Sequence, residues 1–113
     1  MSHITTHVLD VSLGKPAANV AVILETHLSG GSWSEIARGA TDTDGRLRDW
    51  PAAQTLPAGT YRLRFDTKAY FAARNVVSLY PHIVIVFEAR DAQEHYHLPL
   101  LLSPFGYSTY RGS

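Results

Sequence analysis

Two histidines near the end of the sequence have a spacing at which they could act together. One residue separates His95 from His97, so in a β-strand the two imidazoles lie on the same face. Such a pair can bind zinc, with His3 or His7 as a further ligand, and an imidazole can also act as a general base. Because the chain has no cysteine and few carboxylates lie near the pair in the sequence, we predict two solvated histidines and no metal.

A second set of polar residues lies in the middle of the chain. Residues 42–45, Asp-Thr-Asp-Gly, begin like a calcium-binding loop, but the spacing to the glycine is wrong and no glutamate closes the loop, so we predict a hairpin turn. Arg46 follows directly and could reach a neighbouring surface from the rim of a sheet, although a solvated arginine is the more common interpretation. The sequence has no G-x-S-x-G or S-x-x-K motif, which argues against a serine-nucleophile hydrolase. We interpret His27 and His82 as structural.

The composition narrows the classes of protein to consider. The chain has 113 residues, which suits one domain over 1–113, and 45% of them are hydrophobic, which suffices for a buried core. Ten Lys+Arg balance ten Asp+Glu, giving a formal net charge of +0, so we expect neither nucleic acid nor a membrane surface as a partner. The N-terminal residues lack the pattern of a signal peptide, and no apolar run approaches the roughly 20 residues of a membrane span. A cytoplasmic protein is expected.

The elements that position these residues are mainly strands. Runs rich in β-branched and alternating apolar residues, separated by glycine and proline turns, predict strands at 4–11, 20–28, 33–41, 46–50, 60–66, 82–89, 94–102 and 107–113. Residues 67–75 have good helix formers, with Asp66 or Thr67 able to cap the start and Asn75 to end it. Residues 51–57 contain two prolines and are expected to be a loop. The sequence therefore predicts an all-β sandwich of about eight strands with one short helix.

Alternation of side chains assigns the histidine pair to one side of the penultimate strand. Residues 96, 98, 100 and 102 are all apolar, so His95 and His97 must point away from the core with Pro99 and Leu101. A surface this apolar suggests cover by another subunit, although an exposed histidine on an edge strand explains His97 equally well. In the first strand both faces are mixed, and the pattern leaves His7 unplaced.

Several stretches spread over the whole chain carry a resemblance to a known family. They are ITTHVLD at 4–10, TDGR at 43–46, EHYHLPLLLSP at 94–104, GYST at 106–109 and YRGS at 110–113. Together they resemble the 5-hydroxyisourate hydrolases, transthyretin-like enzymes of urate breakdown. The ending YRGS is the most specific mark of that family, since transthyretin shares LLSP and YST but not the ending. The resemblance implies an enzyme rather than a hormone carrier.

The resemblance also implies an assembly and a site. The assembly is a homotetramer, a dimer of dimers whose sheets meet face to face and leave a channel that holds the active sites. The implied catalytic residues are His7, Arg46, His97 and Ser113, and the implied substrate-binding residues are His7, Arg46, Tyr110, Arg111 and Gly112. Every matched position is present in this sequence.

The implied reaction is hydrolysis of 5-hydroxyisourate to 2-oxo-4-hydroxy-4-carboxy-5-ureidoimidazoline, with no cofactor. Water attack on an activated acyl carbon needs a base, for which His7 or His97 is suited, and Arg46 can stabilise the charge that develops on the carbonyl oxygen. We expect the nearby guanidinium to help keep the histidines neutral. The alternative is a transthyretin-type carrier that binds an aromatic ligand in the channel between dimers.

Overall fold

Two β-sheets and one short helix make up the computed structural model, which describes residues 4–50 and 56–113. The strands are β1 (Ile4–Asp10), β2 (Lys15–Pro16), β3 (Ala21–His27), β4 (Trp33–Ala40), β5 (Arg46–Leu47), β6 (Gly59–Phe65), β7 (Ile83–Ala89), β8 (Tyr96–Ser103) and β9 (Gly106–Thr109), and the helix is α1 (Thr67–Ala72). One sheet has the order β2-β1-β8-β9, with β5 also paired to β1, and the other has the order β4-β3-β6-β7. The predicted all-β sandwich with one short helix is confirmed.

The core lies between the two sheets and is filled by alternate residues of their strands. Val8 and Leu100 from the first sheet pack with Leu63 and Phe65 from the second, and all four are fully buried. Residues 96, 98, 100 and 102 of β8 are all buried, as the alternation predicts. Because successive side chains of a strand point to opposite faces, the intervening residues of β1 and β8 face outward.

Strand β1 is central to the first sheet and sets the position of the outward-facing residues. It runs parallel to β8, with Thr5 beside His97 and His7 beside Pro99. On its other edge it pairs antiparallel with β5, where His7 lies beside Arg46, and with β2. The consecutive strands β3 and β4 form an antiparallel pair, and so do β8 and β9.

The turn at residues 42–45 is tight, as predicted, but the prediction of a hairpin is wrong. Strand β4 pairs with β3 in one sheet, whereas β5 pairs with β1 in the other, so the turn crosses between sheets. The Asp42 carboxylate accepts hydrogen bonds from the backbone N–H groups of Asp44 and Arg46 at 2.9 Å each. Turn residues close the same local hydrogen bonds whichever sheet the next strand joins, so the sequence shows the turn but not the crossing.

Several element boundaries differ from the sequence prediction. Residues 15–16, predicted as part of a turn, form the short strand β2 against the end of β1. The strand predicted at 46–50 pairs only over Arg46–Leu47, and the strand predicted at 107–113 ends at Thr109. These ends depend on how far a partner strand extends, which local sequence does not specify. Of the predicted loop at 51–57, residues 51–55 lie outside the described residues.

The short helix is held at both ends. The Asp66 side chain accepts a hydrogen bond from the backbone N–H of Ala69, which confirms Asp66 as the N-cap. The helix ends at Ala72, three residues before Asn75, whose φ of +59° lies in the left-handed region. The Tyr70 hydroxyl donates to the buried Asp10 carboxylate at 2.8 Å and ties the helix to β1. Within the described residues, no helix has the length and apolar character needed to cross a membrane.

Candidate active site

The register of the first sheet brings three predicted site residues to one outward face. His7 on β1 lies beside Arg46 on β5, and Thr5 on β1 lies beside His97 on β8. Residues opposite one another on neighbouring strands point to the same side of the sheet, so both imidazoles and the guanidinium share this face. The predicted position of His97 outside the core is confirmed, and His7, which the alternation left unplaced, lies on the same side.

Arg46 reaches this face because of the glycine before it. Gly45 has a φ of +77°, and a Cβ added there would stand 2.4 Å from the backbone oxygen of Val8. The Gly45 carbonyl oxygen accepts a hydrogen bond from the Val8 N–H at 2.7 Å, which holds the turn against β1. Only glycine meets both conditions without strain. In the described part of the chain no carboxylate forms a salt bridge with Arg46, so its guanidinium is available to a ligand.

His7 is oriented by the same turn. Its Nε2 lies 2.9 Å from the backbone carbonyl oxygen of Asp44. A carbonyl oxygen only accepts, so Nε2 carries the proton, and Nδ1 of the neutral ring carries the lone pair. Residue 44 therefore fixes both the orientation of the His7 ring and the nitrogen that could accept a proton or a hydrogen bond.

His97 is held at its other ring nitrogen. Its Nδ1 lies 2.8 Å from the Thr5 hydroxyl oxygen, and its Nε2 has no hydrogen-bond partner among residues 4–50 and 56–113. Burial lowers the pKa of His97 below its usual value of 6.5, and positive charge on His95, His7 and Arg46 lowers it further. Burial is the largest of these causes and Arg46 the smallest. All of these causes favour the neutral form of the imidazole.

The last residues of the chain run back along β8 and reach His97. The Gly112 N–H donates to the His97 carbonyl oxygen at 2.8 Å, and the two residues form an isolated bridge. A Cβ on Gly112 would lie 2.5 Å from Cδ2 of the His97 ring. The tail therefore packs directly on the imidazole, while Tyr110 before it and Ser113 after it are exposed near this contact.

The structure does not bring the Arg111 guanidinium to the same face. It lies over the ring of Tyr96, 4.6 Å from the ring centroid, and donates to the Glu94 carboxylate at 3.3 Å and to the His95 carbonyl oxygen at 3.2 Å. Tyr96 belongs to the buried side of β8, opposite the imidazoles. In this arrangement Arg111 fastens the tail to β8, which differs from the substrate contact predicted from the sequence.

Thr5 is the residue of this face that sequence reasoning missed. Its hydroxyl lies 2.8 Å from His97 Nδ1 and 2.8 Å from His95 Nε2. The sequence contains no signal for this contact, because it depends on a parallel pairing between strands about 90 residues apart. Within the described residues, no group of three or more histidines and carboxylates could hold a metal ion, and His3 lies outside those residues.

Comparison with known proteins identifies the family. A sequence model of the HIUase/Transthyretin family matches residues 4–112. The chain belongs to the HIUase/Transthyretin family. A probable 5-hydroxyisourate hydrolase of Caenorhabditis elegans is 48% identical over 111 residues, which cover 97% of this chain and 80% of that relative. The resemblance predicted from the motifs is confirmed.

Two solved structures of the HIUase/Transthyretin family are similar over nearly the whole chain. The 5-hydroxyisourate hydrolase of Klebsiella pneumoniae is 40% identical, with a TM-score of 0.84, and the match covers 100% of this chain and 94% of that one. Sea bream transthyretin in complex with thyroxine is 37% identical, with a TM-score of 0.90, and the match covers 96% and 93%. The transthyretin-like fold is therefore confirmed.

In a single chain the candidate site is an open sheet face. The described residues form a cavity of about 370 Å³, lined by residues that include Arg38, Arg64 and His82, but it lies against β3, β4 and β6 of the other sheet. The histidine face is bordered instead by the partly buried Leu9 and Leu101, which lie beside one another on β1 and β8. A single chain would therefore cover only one side of a small planar ligand bound on this face.

Proposed function

We propose that the chain hydrolyses 5-hydroxyisourate to 2-oxo-4-hydroxy-4-carboxy-5-ureidoimidazoline in urate degradation, without a cofactor. The observation that carries the proposal is the common outward face of His7, Arg46 and His97. Addition of water to a carbonyl requires a base and a group that stabilises negative charge, and this face offers an imidazole nitrogen and a guanidinium that have no partner among the described residues. Membership of a family that contains hydrolases of this name supports the same reaction.

In the proposed mechanism His97 is the general base. Its Nε2 accepts a proton from a water molecule as the water oxygen forms a bond to the acyl carbon of the six-membered ring. The lowered pKa of His97 keeps the ring neutral and competent at pH 7. When the ring C–N bond breaks, the nitrogen leaving group takes the proton back from the imidazolium, so the base is regenerated.

The other residues of the face bind and polarise the substrate. Arg46 donates hydrogen bonds to the carbonyl oxygen as negative charge develops on it, and its charge does not depend on pH. The lone pair on His7 Nδ1 accepts a hydrogen bond from a ring N–H and orients the heterocycle. Tyr110, Gly112 and Ser113 complete the substrate pocket from the tail and orient the heterocycle and the reacting water.

The second wall of the site comes from another copy of the chain. We place the histidine faces of two dimers opposite one another in a homotetramer, with the active sites in the channel between them. The apolar pair Leu9 and Leu101 beside the site supports this arrangement, since partly exposed leucines on an outward sheet face gain from being covered.

The activity can be tested directly, although the substrate is unstable. Urate oxidase generates 5-hydroxyisourate in the cuvette, and its decay is followed by ultraviolet absorbance with and without the purified protein. We expect the protein to accelerate the decay in proportion to its concentration and to do so in EDTA. Decay at the spontaneous rate would contradict the proposed function.

A carrier function is the second candidate, favoured by the similarity to thyroxine-bound transthyretin. A carrier should tolerate His97→Asn with little change in affinity for an aromatic ligand. A hydrolase should lose about 100-fold or more in kcat, because the general base is removed. His27→Asn is the matched control, since His27 packs against Trp33 in the other sheet, with the ring centroids 4.8 Å apart and the rings tilted by 46°.

A further inference from the structure

The Thr5 hydroxyl makes an unusual bridge between two imidazoles. Its oxygen lies 2.8 Å from His95 Nε2 and 2.8 Å from His97 Nδ1. Thr5 is only 2% exposed, whereas His95 lies at the solvent-exposed end of the bridge. A buried polar group at this position needs its partners, and both distances are those of ordinary hydrogen bonds.

The chemistry of a hydroxyl limits how the bridge can be arranged. A hydroxyl has one proton to donate, so it can donate to only one of the two ring nitrogens. If His97 Nε2 is the lone pair that accepts a proton from water, then Nδ1 of the neutral ring carries the proton and donates to Thr5. The Thr5 hydroxyl is then free to donate to His95 Nε2. In this direction the bridge is a continuous chain of donors and acceptors that leads from the site to the exposed imidazole.

We propose that Thr5 is a positioning residue that fixes the His97 tautomer and relays a proton between His97 and His95. This inference rests on the proposed function. When water has delivered a proton to Nε2 of His97, the Nδ1 proton moves to the Thr5 oxygen, and the Thr5 hydroxyl proton moves to His95 Nε2. No bond other than these O–H and N–H bonds changes. The positive charge moves from His97 to His95, and the reverse transfer returns the proton when the leaving nitrogen needs it.

The charges around His97 explain why such a relay is useful. His97 is faced by His7 from β1, by Arg46 from β5 and by His95, which directly precedes β8. An imidazolium at His97 is therefore formed beside a permanent cation and in a partly buried position, both of which disfavour it. Moving that charge to His95 places it near solvent.

The type of residue at position 5 also fits this role. Threonine is β-branched, so its χ1 angle is restricted and its hydroxyl is held in one direction. Thr6, the next residue, shows the contrast. Its hydroxyl points to the other side of β1 and donates to the Leu98 carbonyl oxygen at 2.6 Å. Thr5 therefore bridges two titratable side chains, whereas Thr6 contacts only the backbone.

Two variants at position 5 and one at position 6 test the proposal in the urate oxidase-coupled assay. Thr5→Val keeps the shape of the side chain and removes the hydroxyl, and we expect kcat to fall about 10- to 100-fold with little change in KM. Thr5→Ser keeps the hydroxyl and should retain kcat within about threefold of the unmodified protein. Thr6→Val should lower stability but leave kcat and the pH profile unchanged. Equal kcat for Thr5→Val and the unmodified protein would overturn the proposal.

The proton relay and the His97 tautomer are tested by different measurements, the first by kinetics and the second by NMR. His95→Phe removes the far acceptor while leaving Thr5 in place, and an unchanged kcat for this variant would overturn the relay. Long-range ¹⁵N–¹H NMR spectra report which ring nitrogen carries the proton. We expect the His97 Nδ1–H form in the unmodified protein and a shift toward Nε2–H in Thr5→Val. An Nε2–H form of His97 in the unmodified protein would overturn the inference. Because the NMR result does not depend on turnover, it tests Thr5 even if the protein fails to hydrolyse 5-hydroxyisourate.

Discussion

At the scale of single residues, the site depends on how each imidazole is held at one nitrogen. His7 donates from Nε2 to a backbone carbonyl, whereas His97 is bridged to Thr5 through Nδ1. Among the described residues, the ring nitrogen without a hydrogen-bond partner therefore differs between the two histidines, being Nδ1 in His7 and Nε2 in His97. His97 can therefore accept a proton from a water molecule while His7 accepts a hydrogen bond from a ring N–H of the substrate. Neither ring has to rotate.

The lowered pKa of His97 predicts the acid limb of the pH profile. Its base form is the active one, so activity is lost as pH falls and the ring is protonated. Since burial and the cations around it lower its pKa, the midpoint of this loss of kcat/KM should lie at a lower pH than the ordinary histidine value of 6.5. The measurement is kcat/KM of the free enzyme against pH. A midpoint above pH 6.5 would contradict the assignment of His97 as the base.

The close contact between the tail and His97 predicts a large effect from one methyl group. Gly112→Ala places a Cβ 2.5 Å from the His97 ring, so either the ring or the tail must move. A misplaced base or tail should lower kcat/KM about 10- to 100-fold, with little loss of unfolding free energy because the tail is largely exposed. Steady-state kinetics and urea unfolding measure the two effects.

Gly30→Ala is the matched control for this change. An added Cβ at Gly30 meets nothing within 4 Å, so kinetics and stability should match those of the unmodified protein. If Gly112→Ala were as active as Gly30→Ala, the contact between the tail and the ring would have no role in turnover.

At the scale of elements, the turn before β5 supports both the stability of the fold and the position of Arg46. Glycine variants in two turns should distinguish these two effects. Gly45→Ala combines a φ of +77° with a clash against the Val8 carbonyl oxygen, and should cost about 1–3 kcal/mol of unfolding free energy. Gly31→Ala has a φ of +88° but nothing within 4 Å, so it should carry the backbone strain alone. Only Gly45→Ala should lower kcat/KM of the folded enzyme, since only that turn positions Arg46. Equal kcat/KM for the two variants, measured where both are folded, would show that Arg46 does not depend on the turn.

Local patterns predict most strands but not how the strands pair. Alternation in β6 and β8 and the turn residues between strands are properties of a few neighbouring residues, and these strands occur where the sequence predicts them. The crossing at 42–45 and the short strand β2 depend on partners from distant parts of the chain. The interpretation of 15–16 as a turn and of 42–45 as a hairpin therefore failed for the same physical reason.

Local patterns likewise predict only part of the candidate site. Alternation alone places His97 outside the core, because the apolar side of β8 is unbroken. The positions of His7 and Arg46 came from resemblance, and their common face depends on β1 pairing with two other strands. Thr5 and the placement of Arg111 required side-chain contacts across strands, which no spacing in the sequence encodes.

At the scale of the whole molecule, the open face is the feature that calls for a second copy. Water attack on a planar heterocycle gains from a site that excludes bulk solvent, since electrostatic stabilisation by Arg46 is stronger there. One sheet face cannot enclose such a ligand. Leu9 and Leu101 extend the face beyond the polar residues and give it an apolar border.

Leu101 borders the site but carries no group that could take part in the chemistry. Leu101→Asp places a charge in the proposed contact between dimers, so the tetramer should separate into dimers because burying an unpaired charge is costly. Turnover should fall with the tetramer, since each site then loses its second wall. Analytical ultracentrifugation gives the mass, and the coupled assay gives kcat/KM on the same samples.

Leu28→Asp makes the same change at a leucine that is 44% exposed, just after β3, and should remain tetrameric and active. A Leu101→Asp protein that is still tetrameric and fully active would place the contact between dimers elsewhere, whereas active dimers would mean that one chain's face suffices for the reaction.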